Sequence, residues 1–332
     1  MYTRCAILAF ASLVTVAVNA QSLLPSLTYD LIVSHVGYDF LGNFSWETAD
    51  DPTNGCVNYV DKATALKENL TFVSDNKFVM RADDTKKVTK SARGRDSVRI
   101  HSLDAYDDAL FVLDISHMPE GCATWPAWWT LSEKGPWPYG GEIDIIEGVN
   151  LGQRNLASLH TTPNCSMPNV RSQKGTTKST SCDTSVNSNQ GCGVSFPAQD
   201  SYGTSFNAVG GGFYIMEKSS TKGVSVWFIT RDSLLLLGGQ PLLDLVLLST
   251  PDAYFPTDKN CDYSKHFDAH SIVFDLTLCG DWAGSESVWN ASTCAEKAST
   301  CKSFVDNNPH EFIEAYWEIN SLKIYTPYVL LR

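Results

Sequence analysis

Short stretches of strand character recur along the whole chain, and few segments hold a sustained helical period. Residues 70–74, 97–101, 110–113, 212–217, 224–229, 270–276 and 316–325 are apolar-rich runs of strand length. Gly, Pro, Asn and Asp punctuate them, as they punctuate strands in all-β proteins. No repeat of fixed period is visible, and no Pro-, Gly- or Ser-rich linker divides the chain. The pattern predicts an all-β sandwich of antiparallel sheets rather than alternating strands and helices. Gly210-Gly211-Gly212 lacks the Gly-Lys-Ser/Thr ending of a phosphate loop and reads as a turn or bulge entering a strand. Residues 234–248, LLLLGGQPLLDLVLL, break the pattern. They are too short and too interrupted to span a membrane and are expected to form two apolar strands joined at Gly-Gly-Gln-Pro.

Composition narrows the class. With 332 residues, 43% of them hydrophobic and 19% charged, the chain can bury a large core and is not a disordered protein. A net charge of -12 argues against nucleic-acid binding, which calls for a basic face. Arg4, the apolar run from Cys5 to Val18 and the small-residue site Val18-Asn19-Ala20 read as a signal peptide over residues 1–20. Residues 21–332 would then be one secreted domain, with no membrane attachment after cleavage. Of the 10 cysteines, Cys5 leaves with the signal peptide. In an oxidising compartment most of the rest should pair, and their odd number leaves at least one free or paired between chains. Cys182/Cys192 and Cys294/Cys301 are close enough to close short loops, although spacing does not fix connectivity. Four glycosylation triplets, at Asn43, Asn69, Asn164 and Asn290, fit the same route. Asn164 is the poorest acceptor of the four if Cys165 is disulfide-bonded.

The chemistry is concentrated in Gly141-Glu142-Ile143-Asp144-Ile145-Ile146-Glu147-Gly148. Period two puts Glu142 and Asp144 on one face of a strand and Ile143 and Ile145 on the other. Strict alternation would turn Glu147 inward, where an unpaired carboxylate would cost several kcal/mol. One extra residue at Ile145-Ile146, a β-bulge, returns it to the acidic face. Three adjacent carboxylates repel and raise at least one pKa. Metal binding by oxygen ligands and an edge-strand charge pattern are alternatives. Glycoside hydrolysis fits better, because it needs one ionised and one protonated carboxyl group. Trp125, Trp128, Trp129 and Trp137, just upstream, supply flat faces of the kind that stack on sugar rings. Trp128 and Trp129 should point to opposite faces, so one packs inside. Trp129 and Trp137 are assigned to substrate.

These residues resemble glycoside hydrolase family 16, in particular its laminarinase-like endo-β-1,3(4)-glucanases. The bulged Glu-x-Asp-x-x-Glu motif carries the resemblance. Thr124-Trp125-Pro126-Ala127, Ser158-Leu159-His160-Thr161, Val226-Trp227-Phe228, Cys279-Gly280-Asp281-Trp282-Ala283-Gly284 and Glu314-Ala315-Tyr316-Trp317-Glu318-Ile319 extend it over residues 29–325. The resemblance implies a concanavalin-like β-jelly roll of two antiparallel sheets, with a substrate cleft across the concave one. It implies retaining hydrolysis of a β-1,3 or mixed β-1,3/1,4 glucan. Glu142 would be the nucleophile, Glu147 the general acid/base, and Asp144 a hydrogen-bond partner of Glu142. His160 would contact the acids or the sugar, Trp282 would form a subsite platform, and Asn58 would reach the cleft. The expected partner is a β-glucan polysaccharide, and the expected state is a monomer. No cofactor or catalytic metal is implied, and no ligand set for a structural calcium ion is legible. A glucan transglycosylase and a non-catalytic glucan-binding module on the same fold are the rival readings. The chain departs from the family at 234–248, where a polar, proline-containing loop is usual, and at 329–332.

Overall fold

Alternation sorts the side chains of each strand between an inner and an outer face, and the inner faces meet in one core. The computed structural model describes residues 27–236 and 249–329. The expected signal peptide, residues 237–248 of the leucine-rich run and residues 330–332 lie outside the described residues. The strands are β1 (Leu27–His35), β2 (Phe44–Trp46), β3 (Val57–Tyr59), β4 (Thr71–Ser74), β5 (Lys77–Arg81), β6 (Arg95–Ser97), β7 (Arg99–Tyr106), β8 (Ala109–His117), β9 (Thr124–Ser132), β10 (Glu142–Glu147), β11 (Leu156–His160), β12 (Thr176–Thr177), β13 (Cys192–Ser195), β14 (Gly212–Ser219), β15 (Gly223–Thr230), β16 (Ala253–Pro256), β17 (His270–Leu278) and β18 (Tyr316–Val329).

One eight-stranded sheet runs β16-β15-β14-β8-β18-β5-β4, with β1 paired to β18. The other runs β12-β13-β11-β10-β9-β17-β7-β2 and carries the three acids. Both are antiparallel, so the sandwich expected from the sequence is the fold. Ile143, Ile145, Ile146, Trp128, Ile272 and Phe274 of the acid-bearing sheet pack against Phe111, Leu113, Tyr214, Met216 and Trp317 of the other. Each fully buried isoleucine contributes about 2 kcal/mol of transfer free energy. The Trp128 ring lies nearly parallel to Phe274, centroids 6.0 Å apart. Gly210-Gly211-Gly212 does turn into a strand, β14.

The start of the leucine-rich run differs from expectation. Arg231–Leu236 is a helix, so Leu234 to Leu236 do not begin an apolar strand. Among the described residues four disulfides form: Cys122–Cys294, Cys165–Cys261, Cys182–Cys192 and Cys279–Cys301. Cys294 and Cys301 therefore do not pair with each other. Cys294 reaches back to the start of β9, and Cys301 to the end of β17. Together they clamp the short helices Gly280–Ala283, Glu286–Ala291 and Cys301–Asn307 against the end of the acid-bearing sheet. Cys56 is the free thiol among the described cysteines.

Candidate active site

The acids project from the outer face of β10. In the ladder with β9, Asp144 opposes Trp129, but Ile146 opposes Trp128. Ile145 is thus the extra residue of a bulge, and Glu147 returns to the face of Glu142. Trp128 is buried while Trp129 is only partly so, which is the expected division of that pair. Each glutamate is tethered by an indole. Trp137 Nε1 donates to Glu142 Oε2 at 2.8 Å, and Trp125 Nε1 donates to Glu147 Oε1 at 2.9 Å. Trp137 itself is 46% exposed, so its ring faces remain open to a ligand.

Asp144 departs from expectation. It is 4% exposed rather than facing solvent. Among the described residues its Oδ2 has no hydrogen-bond partner, and it lies 3.4 Å from His160 Nε2. Burial pushes its pKa well above the usual carboxylate range, and the charges of Glu142, Glu147 and Asp275 add to this. His160 lies opposite Glu142 on β11. Its Nδ1 donates to Asn189 Oδ1 at 2.9 Å, which leaves Nε2 facing Asp144. Asn189 comes from the loop closed by Cys182–Cys192. Gly191 lets that loop approach, since a Cβ there would stand 2.7 Å from His160 Nε2.

Glu147 is pushed up to about 7, first by burial. The Trp125 hydrogen bond and His160 oppose the shift, and the charge of Glu142 adds to it. Crowding by anions, the cause read from the sequence, is thus secondary to desolvation. Glu142, Asp144 and His160 also bring one ligand atom each within 4.8 Å of one another, the group among the described residues able to hold a metal ion.

The same face continues across the sheet. Trp129 Nε1 donates to Asp275 Oδ1 at 3.1 Å, and Tyr59 Oη donates to Asp275 Oδ2 at 3.2 Å. Arg99 lies 5.0 Å over the Trp129 ring and pairs with Glu47 at 3.0 Å. Burial raises Asp275 to about 7, against the pull of Arg99. Trp282 stands edge-on to Trp125, centroids 5.7 Å apart, and so joins the Glu147 side of the site. Asn58 is not brought in by any contact with the acids. Its amide donates to Asp96 Oδ1 at 2.6 Å in the small parallel β3–β6 sheet, and its neighbour Tyr59 reaches the acid face instead.

Trp125, Asp275 and Asn155 were not assigned to the site from sequence. Period two along β9 places Trp125 on the face of Trp129 and so carried a usable signal. Asp275, a lone acid in an apolar strand, was a weaker one. Asn155, whose side chain bonds to Ile145 O and Glu147 N on the bulge, left none.

Against known families, residues 44–325 match the family described as XgeA-like, catalytic GH16 domain. The chain belongs to glycoside hydrolase family 16. This family 16 chain is 41% identical over 303 residues to "Probable glycosidase C21B10.07" of Schizosaccharomyces pombe, covering 90% of itself and 69% of that relative. It is 41% identical to a "Probable endo-1,3(4)-beta-glucanase" of Aspergillus niger, covering 90% of itself but only 40% of that longer protein. Among solved structures, laminarinase 16A of Phanerochaete chrysosporium, holding β-glucans in donor and acceptor sites, superposes with a TM-score of 0.83 at 44% identity. That match covers 91% of this chain and all of the other. An elongating family 16 β-1,3-glucosyltransferase superposes with a TM-score of 0.79 at 40% identity, covering 90% of this chain and all of the other.

Proposed function

We propose that this family 16 glycoside hydrolase is a secreted, retaining endo-β-glucanase acting on β-1,3 or mixed β-1,3/1,4 glucans. The observation that carries the reading is the pair Glu142 and Glu147 on one face of one bulged strand, each tethered by an indole N–H. Glu147, pushed up to about 7, keeps its proton at mildly acidic pH and donates it to the glycosidic oxygen. Glu142 attacks the anomeric carbon from the opposite side of the ring and forms a glycosyl ester. Water, deprotonated by the now ionised Glu147, hydrolyses the ester with overall retention. Asp144, buried with a raised pKa, keeps its proton beside His160. It thus spares Glu142 a second negative charge at close range. The faces of Trp129, Trp137 and Trp282 form sugar platforms. Four disulfides fit an extracellular location, and among the described residues no helix is long and apolar enough to cross a membrane. No step of this cycle needs a cofactor.

Transglycosylation is the second reading, and similarity to the elongating glucosyltransferase favours it specifically. The two share the glycosyl ester and differ in the acceptor that resolves it. Product analysis on laminarin, lichenan and xyloglucan separates them. Shortening oligosaccharides from laminarin or lichenan are expected, with xyloglucan left intact. Products longer than the chains supplied would transfer the assignment to a transglycosylase. Absence of any product with all three would leave the binding-module reading.

A further inference from the structure

The bulge that returns Glu147 to the acidic face also opens a gap in the ladder. Pairing between β10 and β11 stops at Asp144 opposite Ser158. On its other edge β11 stays paired with β13 from Leu159 to Leu156, which lies opposite Ser195. The Ile145 carbonyl and the Glu147 amide face that gap with no strand to receive them. Asn155 fills it with its side chain. Its Nδ2 donates to Ile145 O at 2.7 Å, and its Oδ1 accepts from Glu147 N at 3.0 Å. A carboxamide is the one neutral side-chain group that copies a peptide unit, with a donor and an acceptor side by side. Here it stands in for the missing strand residue.

Asn155 is itself held on every side. It is fully buried. Its own N–H donates to Ser201 Oγ at 3.0 Å, and its carbonyl accepts from Phe196 N at 2.9 Å. Ser201 Oγ in turn donates to Ala198 O at 2.6 Å. The clamp therefore anchors both ends of the bulge, from which the Glu147 side chain springs, to the segment 196–201.

We infer that Asn155 is a positioning residue for proton transfer, aiming the Glu147 carboxyl group at the leaving-group oxygen by pinning the Ile145–Glu147 bulge. The inference rests on the reading of Glu147 as acid/base. Without the clamp, two buried backbone groups must find other partners, which shifts the strand segment under Glu147. A displacement near 1 Å at a catalytic group costs about 10²-fold in rate.

The test exploits the leaving group. A sugar leaving group needs the proton of Glu147, whereas a 2,4-dinitrophenolate leaves without one. kcat/KM is measured for Asn155→Ala, Ser201→Ala and Glu147→Gln on laminaripentaose and on 2,4-dinitrophenyl β-laminaribioside, because this parameter reports the first, bond-breaking step. Asn155→Ala is expected to lose about 10²-fold on the pentasaccharide and less than about 3-fold on the aryl glycoside. Ser201→Ala is expected to show the same split on a smaller scale, and it carries the test if Asn155→Ala does not fold. Equal losses on both substrates, or none on either, would overturn the inference. Glu147→Gln separates this failure from the larger one. If it shows the split and neither clamp variant does, only the role of Asn155 falls. If it shows no split, the acid/base reading falls and the inference with it.

Discussion

Glu142→Gln is expected to reduce hydrolysis of laminarin by about 10⁵-fold, equivalent to ~7 kcal/mol of lost transition-state stabilisation. The amide has nearly the shape of the carboxylate, and its carbonyl oxygen can still accept from Trp137 Nε1, the bond that now measures 2.8 Å. The loop bearing Trp137 therefore stays in place, and substrate affinity should change little. What disappears is the charge that attacks the anomeric carbon. Reducing-sugar release against enzyme concentration, with the melting temperature as a control for folding, reads the effect. A loss below about tenfold would remove Glu142 from the nucleophile role.

Glu147→Gln is expected to act with opposite signs on activity and stability. Loss of the proton donor should lower kcat/KM on laminarin by about 10³-fold. The folded-state pKa of Glu147 lies near 7, above the ordinary value of 4.5. Between those values the folded protein holds a proton that the unfolded chain has released. Stability therefore falls as pH rises through this window, by up to about 3 kcal/mol once the buried carboxyl is ionised. Glutamine does not titrate and escapes the penalty. The variant should melt at nearly the wild-type temperature at pH 4 and a few degrees above it at pH 8. The gap between the two melting curves should widen as pH rises to about 7 and then level off, and a constant gap would mean that Glu147 is not held protonated by its surroundings. The wild-type kcat/KM should fall as pH rises through about 7, because only the protonated form donates.

The arrangement of the acids was legible because two physical rules constrain it tightly. Side-chain period two fixes the faces of Glu142, Ile143 and Asp144. The cost of an inward carboxylate then demands a bulge before Glu147, and the shift falls between Asp144 and Ile146. The same alternation split Trp128 from Trp129. Other features depend on partners far away in the chain. Whether Asp144 is solvated or buried depends on His160 and the walls around it, so the sequence did not show that burial, rather than repulsion, dominates its pKa and that of Glu147. Cys294 and Cys301 looked like loop partners, yet each pairs with a strand end, Cys122 or Cys279, and short helices fill the space between. Asn155 was invisible because its role is to replace a strand residue that the bulge leaves out. The helix Arg231–Leu236 extends into a run whose leucines suit strand and helix equally.

Retention through a two-glutamate site is the central claim, and the stereochemistry of the first product tests it most directly. Proton NMR of laminarin digestion, recorded within the first minutes before mutarotation, should show the β-anomer of the new reducing end appearing first and the α-anomer growing in later. An α-anomer as first product would contradict the account, since it requires direct attack by water and leaves Glu142 without its role as nucleophile.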